Sequence, residues 1–309
     1  MTPVPPAGFT GGMREYGDLL DYYTENDRVL ALSLTTVRRL KGEAVESVAR
    51  EILGYLTARG IENPAARYSA RTKELFELQN EFERTGHYRA SSYAEVPQLD
   101  REEYNLGLLL SFIATLHRFE ILERLREFYC LPCGGPKRLL TVGFGTGYEL
   151  RHAFQLLQGW EHSAFDTSPE ARAYATDLLR FFGCPVDRLT LGEFPLETEE
   201  GQGEYAGCFG KIVLCELLEH LEAPDRAIAS VGKALHPDGH AFLTMAVNIA
   251  QEDHIFLYQS PGEARRQVEE SGLLVLQEWL APVTVLPFAE EDREKIFRRG
   301  NYICVAAKA

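Results

Sequence analysis

The stretch Arg138–Leu150, RLLTVGFGTGYEL, decides how this chain is read. A short apolar run breaks into three alternate glycines and then resumes with helical spacing, so a strand, a tight turn and a helix start lie together. Glycine at 143, 145 and 147 lets the backbone take positive φ and lets a ligand lie against bare main chain. Working outward, the region before this stretch is helical and the region after it alternates strand with helix.

The glycine spacing separates two kinds of ligand. A dinucleotide fingerprint reads G-x-G-x-x-G, with its last glycine placed to admit a pyrophosphate at the helix N-terminus. Here the third glycine comes one residue early, and Tyr148 occupies the dinucleotide position. The pattern resembles the S-adenosylmethionine (SAM) loop of class I methyltransferases. A second short strand, Glu161–Asp166, ends in an acid about twenty residues past the glycines, the usual distance for a carboxylate that accepts both ribose hydroxyls. A third strand is expected over Asp187–Glu193, with Gly192, Glu193 and Phe194 at the end where class I enzymes hold the adenine. The resemblance thus implies cofactor contacts from Thr141, Gly143, Phe144, Gly145, Gly147, Asp166, Thr167, Glu193, Phe194 and Cys215. One departure stands out: the family usually carries an acid two residues before the first glycine, and this chain has Thr141 there. Anchoring of the methionine ammonium then falls to another group.

Residues from about 14 to 128 show apolar positions at helical spacing, as in Leu75, Phe76, Leu78 and Phe82, and in Leu108, Leu109, Phe112, Ile113 and Leu116. Gly60–Pro64 and Thr85–Ser92 interrupt the pattern as loops, and one long helix is expected from Arg101 to Tyr129. The Pro/Gly-rich connector Leu131–Pro136 marks a boundary. It separates a helical lid or substrate region, residues 1–130, from a SAM-binding domain, residues 137–309. In the latter, KRLLTV, SAFD, RLTLGE, KIVLCE, HAFLTMAVN, LLVLQEWLAP and NYICVAAKA are strand candidates separated by helices. The fold class expected is α/β, a seven-stranded, mostly parallel, doubly wound sheet with an α-helical N-terminal lid. The family resemblance further implies that the last strand inserts antiparallel beside the sixth.

A second constellation follows the fourth strand in Cys215–Leu221, CELLEHL. Glu216, Glu219 and His220 stand at i, i+3 and i+4, the spacing that puts side chains on one face of a helical turn. His254, after the fifth strand, lies at the carboxyl end of the neighbouring strand, so the four can meet. Two carboxylates and two imidazoles suit Mg²⁺, Mn²⁺, Fe²⁺, Co²⁺ or Zn²⁺. This ExxEH…DH pattern is similar to metal-dependent 2′-O-methyltransferases that cap small-RNA 3′ ends, whose Glu, Glu, His, His site holds the metal. A second reading stands beside it: Glu219 and His220 cap the helix and line the cofactor pocket, and without a metal His220 or His254 is the general base, with Glu216 beside them. His117 reads as a packed core residue. His87, His152, His162, His236 and His240 read as solvated.

Composition limits the partners. At 309 residues and 45% hydrophobic the chain can bury a large core. A net charge of −14 argues against nucleic acid, against an RNA acceptor and against an anionic membrane. No apolar run reaches the ~20 residues of a membrane span, and the opening residues lack a signal-peptide pattern, so a cytoplasmic location is expected. The six cysteines include a lone CxxC, Cys130 and Cys133, with no second pair for zinc. A small-molecule acceptor is therefore expected, with Tyr88, Tyr93, Tyr104 and Asn105 as lid residues suited to its pocket; a second reading has the tyrosines pack the lid against the core. Two function classes remain open at this level: O-methylation of a hydroxylated or carboxylated metabolite, or a SAM-binding lyase, cyclase or non-catalytic regulatory partner.

Overall fold

The computed structural model describes residues 15–192, 194, 196, 205–283 and 299–309. Five helices open the chain: α1 (Tyr16–Asn26), α2 (Arg28–Lys41), α3 (Glu43–Ala58), α4 (Pro64–Thr85) and α5 (Arg101–Ala114). Local chemistry sets their ends. Asp27 and Asp100 cap α2 and α5 by accepting main-chain N–H bonds from their first turns, and Gly86 ends α4 in a left-handed conformation. The long helix expected over Arg101–Tyr129 is instead two, α5 and α6 (Leu116–Cys130), bent by 83°. Thr115 between them is extended at φ −128°, ψ 136°, and both its N–H and its hydroxyl donate back to Ser111 O, closing α5 there.

From β1 (Arg138–Val142) onward strands and helices alternate. The order is α7 (Tyr148–Leu156), β2 (Glu161–Phe165), α8 (Pro169–Phe181), β3 (Leu189–Gly192), β4 (Phe209–Leu214), α9 (Pro224–Ala234), β5 (Leu235–Val247), α10 (Pro261–Glu270), β6 (Leu273–Pro282) and β7 (Gly300–Lys308). They form one seven-stranded sheet in the order β3-β2-β1-β4-β5-β7-β6. β1 to β5 run parallel, while β7 inserts antiparallel between β5 and β6, as the resemblance implied. The sheet switches direction of winding between β1 and β4, so the loops at those two carboxyl ends open a crevice there.

The sheet is covered on both faces. On one side Leu140, Ile212, Leu214, Leu243 and Tyr302 pack with Ile228 and Val231 of α9 and Val268 of α10. On the other, Leu139, Val213, Phe242 and Ile303 pack with Leu150, Leu179 and with Ile121, Leu125 and Phe128 of α6. A buried lysine fixes α6 to the sheet. Lys211 of β4, fully buried, donates from Nζ to the carbonyls of Phe128, Tyr129 and Leu131 at 2.6–2.9 Å, which supplies partners to the open carbonyls at that helix end. The N-terminal helices share a third core that also takes in Tyr148 and Leu178, so their apolar faces close over α7 and α8.

Candidate functional site

The three glycines after β1 serve three ends. Gly147 has φ +78°, and a Cβ on it would stand 2.7 Å from Cβ of Ala175, so its bareness lets α8 approach. Gly145 is at φ +51°, and a Cβ on it would meet only the Leu108 side chain, at 3.5 Å, so its backbone faces the open cavity. Gly143 gives its N–H to Phe165 O, tying the loop to β2. Asp166, just past β2, completes this wall. Its carboxylate accepts from Ser168 N at 2.9 Å and from Gly145 N at 3.4 Å, and burial raises its pKa against those bonds.

That wall is one side of a cavity of about 1160 Å³. Gly143, Phe144, Gly145, Asp166, Thr167 and Cys215 all line it. Three other residues singled out from the sequence do not, Gly147 among them, since it packs on α8. Thr141 is buried with an unpartnered hydroxyl and takes no part in the lining, and Phe194 stacks into an aromatic cluster with Phe165 and Tyr205 on the sheet's covered face. Glu193 lies outside the described residues. The cavity's other wall comes from the N-terminal helices through Leu30, Tyr68, Arg71, Leu75, Tyr104, Asn105 and Leu108. The side amide of Gln79 on α4 clasps the loop after β5, donating to Asn248 O at 3.2 Å and accepting from Ala250 N at 2.9 Å. Arg71 reinforces it with two bonds to Glu252.

On the far side of the cavity, Glu219, His220 and His254 each present a ligand atom within 4.8 Å of the other two. Their rings are fixed by main chain: His220 Nδ1 lies 2.9 Å from Asp253 O, and His254 Nδ1 lies 2.8 Å from Ile249 O. Each imidazole therefore spends Nδ1 on a carbonyl and keeps Nε2 for other chemistry. Glu219 is fully buried and neither carboxylate oxygen has a partner. Burial, with Glu216 close by, pushes it up to about 8. Burial together with His220 pushes His254 down to about 3, so that ring is neutral at physiological pH. His220 moves the other way, because Asp253 and Glu219 outweigh the burial that opposes its charge.

Glu216 does not join this group. The i, i+3, i+4 reading assumed helical backbone, but Glu216 has φ +52° and only Leu218–His220 form a short 3₁₀ turn. The left-handed residue turns its carboxylate away to Asn301 Nδ2 at 2.7 and 2.8 Å, to the Thr244 hydroxyl at 2.7 Å, and to Arg118 at 3.3 Å. Of the four acid and histidine positions, three meet.

Several wall residues escaped the sequence reading. Asp253 stands 3.4 Å from His220 Nδ1 and is the acid behind that ring. Arg118, buried on α6, reaches both Glu149 and Glu216, and Glu149 opens α7 directly after the glycines. An acid in the first turn of the helix was the visible signal for Glu149; Arg118 had none. Among the lid tyrosines, Tyr93 and Tyr104 line the cavity with Asn105, whereas Tyr88 is buried behind it against Phe82 and the His254 ring. Among the histidines, His87 is exposed, but His152 and His162 are buried against Tyr148 and Phe154, because α7 and β2 turn those positions inward. His117 lines the cavity rather than the core, and burial beside Arg118 pushes it down to about 3. All six cysteines are free, Cys130 and Cys133 included.

The comparisons agree with this architecture. A family model described as a methyltransferase domain matches residues 115–304, which begins at α6 and runs into β7. An uncharacterized protein of Synechococcus sp. is 30% identical over 138 residues, 44% of this chain. The aligned part is 29% of that protein's length. Among solved structures, the mitomycin 7-O-methyltransferase MmcR shares the fold over 92% of this chain and 76% of its own, at 15% identity and TM-score 0.52. An S-adenosylmethionine-dependent methyltransferase from Mesorhizobium loti aligns over 60% of this chain and 95% of its own, at 17% identity and TM-score 0.44.

Proposed function

The chain belongs to the class I SAM-dependent methyltransferase domain family, and from that premise we propose that it transfers the sulfonium methyl of SAM to an oxygen of a small hydroxylated or carboxylated acceptor. The observation that carries the reading is one continuous cavity. Its wall holds Gly145 and Asp166 on one side and Glu219, His220 and His254 on the other, with the N-terminal helices over it. In this reading the bare backbone at Gly145 takes the nucleoside and Asp166 accepts the ribose hydroxyls. The sulfonium methyl then faces the histidines.

Methyl transfer to oxygen breaks the S–CH₃ bond and forms an O–CH₃ bond; a carboxylate acceptor brings no proton, whereas a hydroxyl leaves one that must go somewhere. Without a metal, His220 takes it: Asp253 holds Nδ1, so Nε2 is the basic nitrogen, and the raised pKa strengthens it as a base. Neutral His254 accepts the acceptor's hydroxyl hydrogen bond and fixes its direction. Tyr104 and Asn105 supply polar groups on the lid side, with Leu75 and Phe76 as apolar wall. The clasp from Gln79 and Arg71 holds the loop that carries His254 against α4. The net charge of −14 favours such an acceptor over RNA.

Glu219 supports a further element. A buried carboxylate with no partner is costly, and a divalent cation held by Glu219, His220 and His254 would satisfy it. Two imidazoles and a carboxylate fit Mg²⁺, Mn²⁺, Fe²⁺, Co²⁺ or Zn²⁺, and such an ion would take the free Nε2 of both rings and, in place of the His220 base, lower the pKa of an acceptor hydroxyl. Metal analysis of protein purified without chelator tests this, alongside calorimetric SAM titration before and after chelation. Bound metal that chelator removes with SAM affinity retained is expected; metal-free protein with full activity sinks the metal element.

The methyltransferase reading is tested by incubating the protein with SAM and a panel of hydroxylated and carboxylated metabolites. One product heavier by a CH₂ group, matched by S-adenosylhomocysteine, is expected by mass spectrometry. Methylthioadenosine formed from SAM alone would support a lyase or cyclase instead.

A further inference from the structure

The methionine end of SAM is a zwitterion, so its site needs a cation and an anion side by side. Thr141, where an acid was expected, is buried, off the cavity wall and neutral. Among the described residues, the arginine–carboxylate pairs with both members on that wall are those of Arg118 with Glu149 and with Glu216. Resting on the SAM reading above, we propose that Arg118 and Glu149 clamp the amino-acid end of SAM, Glu149 taking the ammonium and Arg118 the carboxylate.

Placement is the first support. Glu149 sits two residues past Gly147 in the first turn of α7, on the same wall as Gly143 and Gly145, and keeps 13% side-chain exposure toward the cavity. Arg118 comes to the same spot from α6. Its guanidinium stacks at 4.7 Å on the Phe112 ring, which fixes the plane it presents.

The second support is incomplete pairing. Arg118 is 7% exposed, yet its Nε has no partner, and both its contacts to carboxylates are 3.3 Å, long for charge-assisted bonds. Arg71–Glu252, by contrast, is closed by two bonds. A buried arginine with an idle donor beside an acid that has few partners is built to receive a complementary pair of charges. Glu216 is not the ammonium acceptor, because Asn301 and Thr244 already occupy its oxygens. Burial raises the pKa of Glu149 against the pull of Arg118, and an incoming ammonium would reverse that shift.

Calorimetry with four ligands tests the clamp on the full chain: SAM, decarboxylated SAM, S-adenosylhomocysteine and 5′-methylthioadenosine, which lacks both charged groups. Wild type is expected to bind methylthioadenosine about 100-fold more weakly than S-adenosylhomocysteine, and decarboxylated SAM about 10-fold more weakly than SAM. Glu149→Gln should weaken SAM and decarboxylated SAM alike, about 10- to 100-fold, and leave methylthioadenosine within about twofold. The decarboxylated ligand reports on Arg118 without a substitution that disturbs Glu216. Glu149→Gln affinities equal to wild type for all ligands, or weakened equally for all including methylthioadenosine, overturn the clamp while leaving the SAM reading standing. Wild-type protein that binds none of the four overturns both.

Discussion

Glu216 and Glu219 lie three residues apart on the loop after β4, and they are opposite cases. Glu216 is saturated: a left-handed backbone turns it to Asn301, Thr244 and Arg118, each from a different element. Glu219 is deeper and has nothing on either oxygen. A buried carboxylate that the fold has fully partnered joins β4, β5, β7 and α6 together. One left without partners destabilises the fold and persists because something else uses it. The difference divides the cavity floor into a part that holds the structure and a part kept for chemistry.

The sharpest way to break this contrast is to remove Glu216. Glu216→Ala strands a buried guanidinium, an amide and a hydroxyl, and should cost about 3–5 kcal/mol of stability by urea denaturation. A loss under about 1 kcal/mol would mean that Glu216 is no keystone. Glu219→Gln is the mirror experiment. It removes an unpartnered group that can carry charge, so the melting temperature should hold near pH 7 and rise above about pH 8, where burial no longer keeps Glu219 protonated, while turnover falls by about 10²–10³-fold. If it instead destabilises the protein as much as Glu216→Ala does, the two carboxylates are alike and the division fails.

The other end of the cavity gives a third comparison. Asp166 is partly satisfied, by two main-chain N–H groups, so the fold needs it less than Glu216. Asp166→Ala should leave the melting temperature within a few degrees and weaken SAM by about 1.5–3 kcal/mol in calorimetry, the loss of charge-assisted bonds to the ribose. Unchanged affinity would put the ribose elsewhere.

How much of this could be read from the chain depends on distance along it. The glycines, the acid ending β2 and the strand–helix alternation are local signals, and they place the crevice at the carboxyl ends of β1 and β4. Even the antiparallel β7 followed from resemblance. The grouping of Glu216 with Glu219 and His220 failed because spacing presumes a backbone, and a single residue at φ +52° redirects one side chain. Asn301, 85 residues from Glu216, and Arg118, 31 residues before Glu149, meet their partners only through the register of β7 and the packing of α6. His152 and His162 looked solvated because polar residues usually are, yet the doubly covered sheet buries them.

The smallest expected effect concerns Asp253, which reaches the chemistry only through another residue. Its carboxylate lies 3.4 Å from His220 Nδ1, its main-chain oxygen accepts at 2.9 Å, and it is among the groups that raise the pKa of His220. Asp253→Asn keeps the main-chain bond and the shape but removes the charge. Ring orientation should survive, so turnover at its optimum should fall only about 10-fold, in the range seen when a carboxylate behind an imidazole is lost. The pH profile carries the diagnostic information. A general base must be unprotonated to work, so activity is lost as pH falls through the pKa of His220. Asp253 favours the imidazolium and keeps that pKa up; without it the pKa drops, and the acid limb of kcat/KM should move to lower pH. A limb that stays in place would assign the proton to a different group, and a limb that moves upward would mean that Asp253 stabilises the neutral ring.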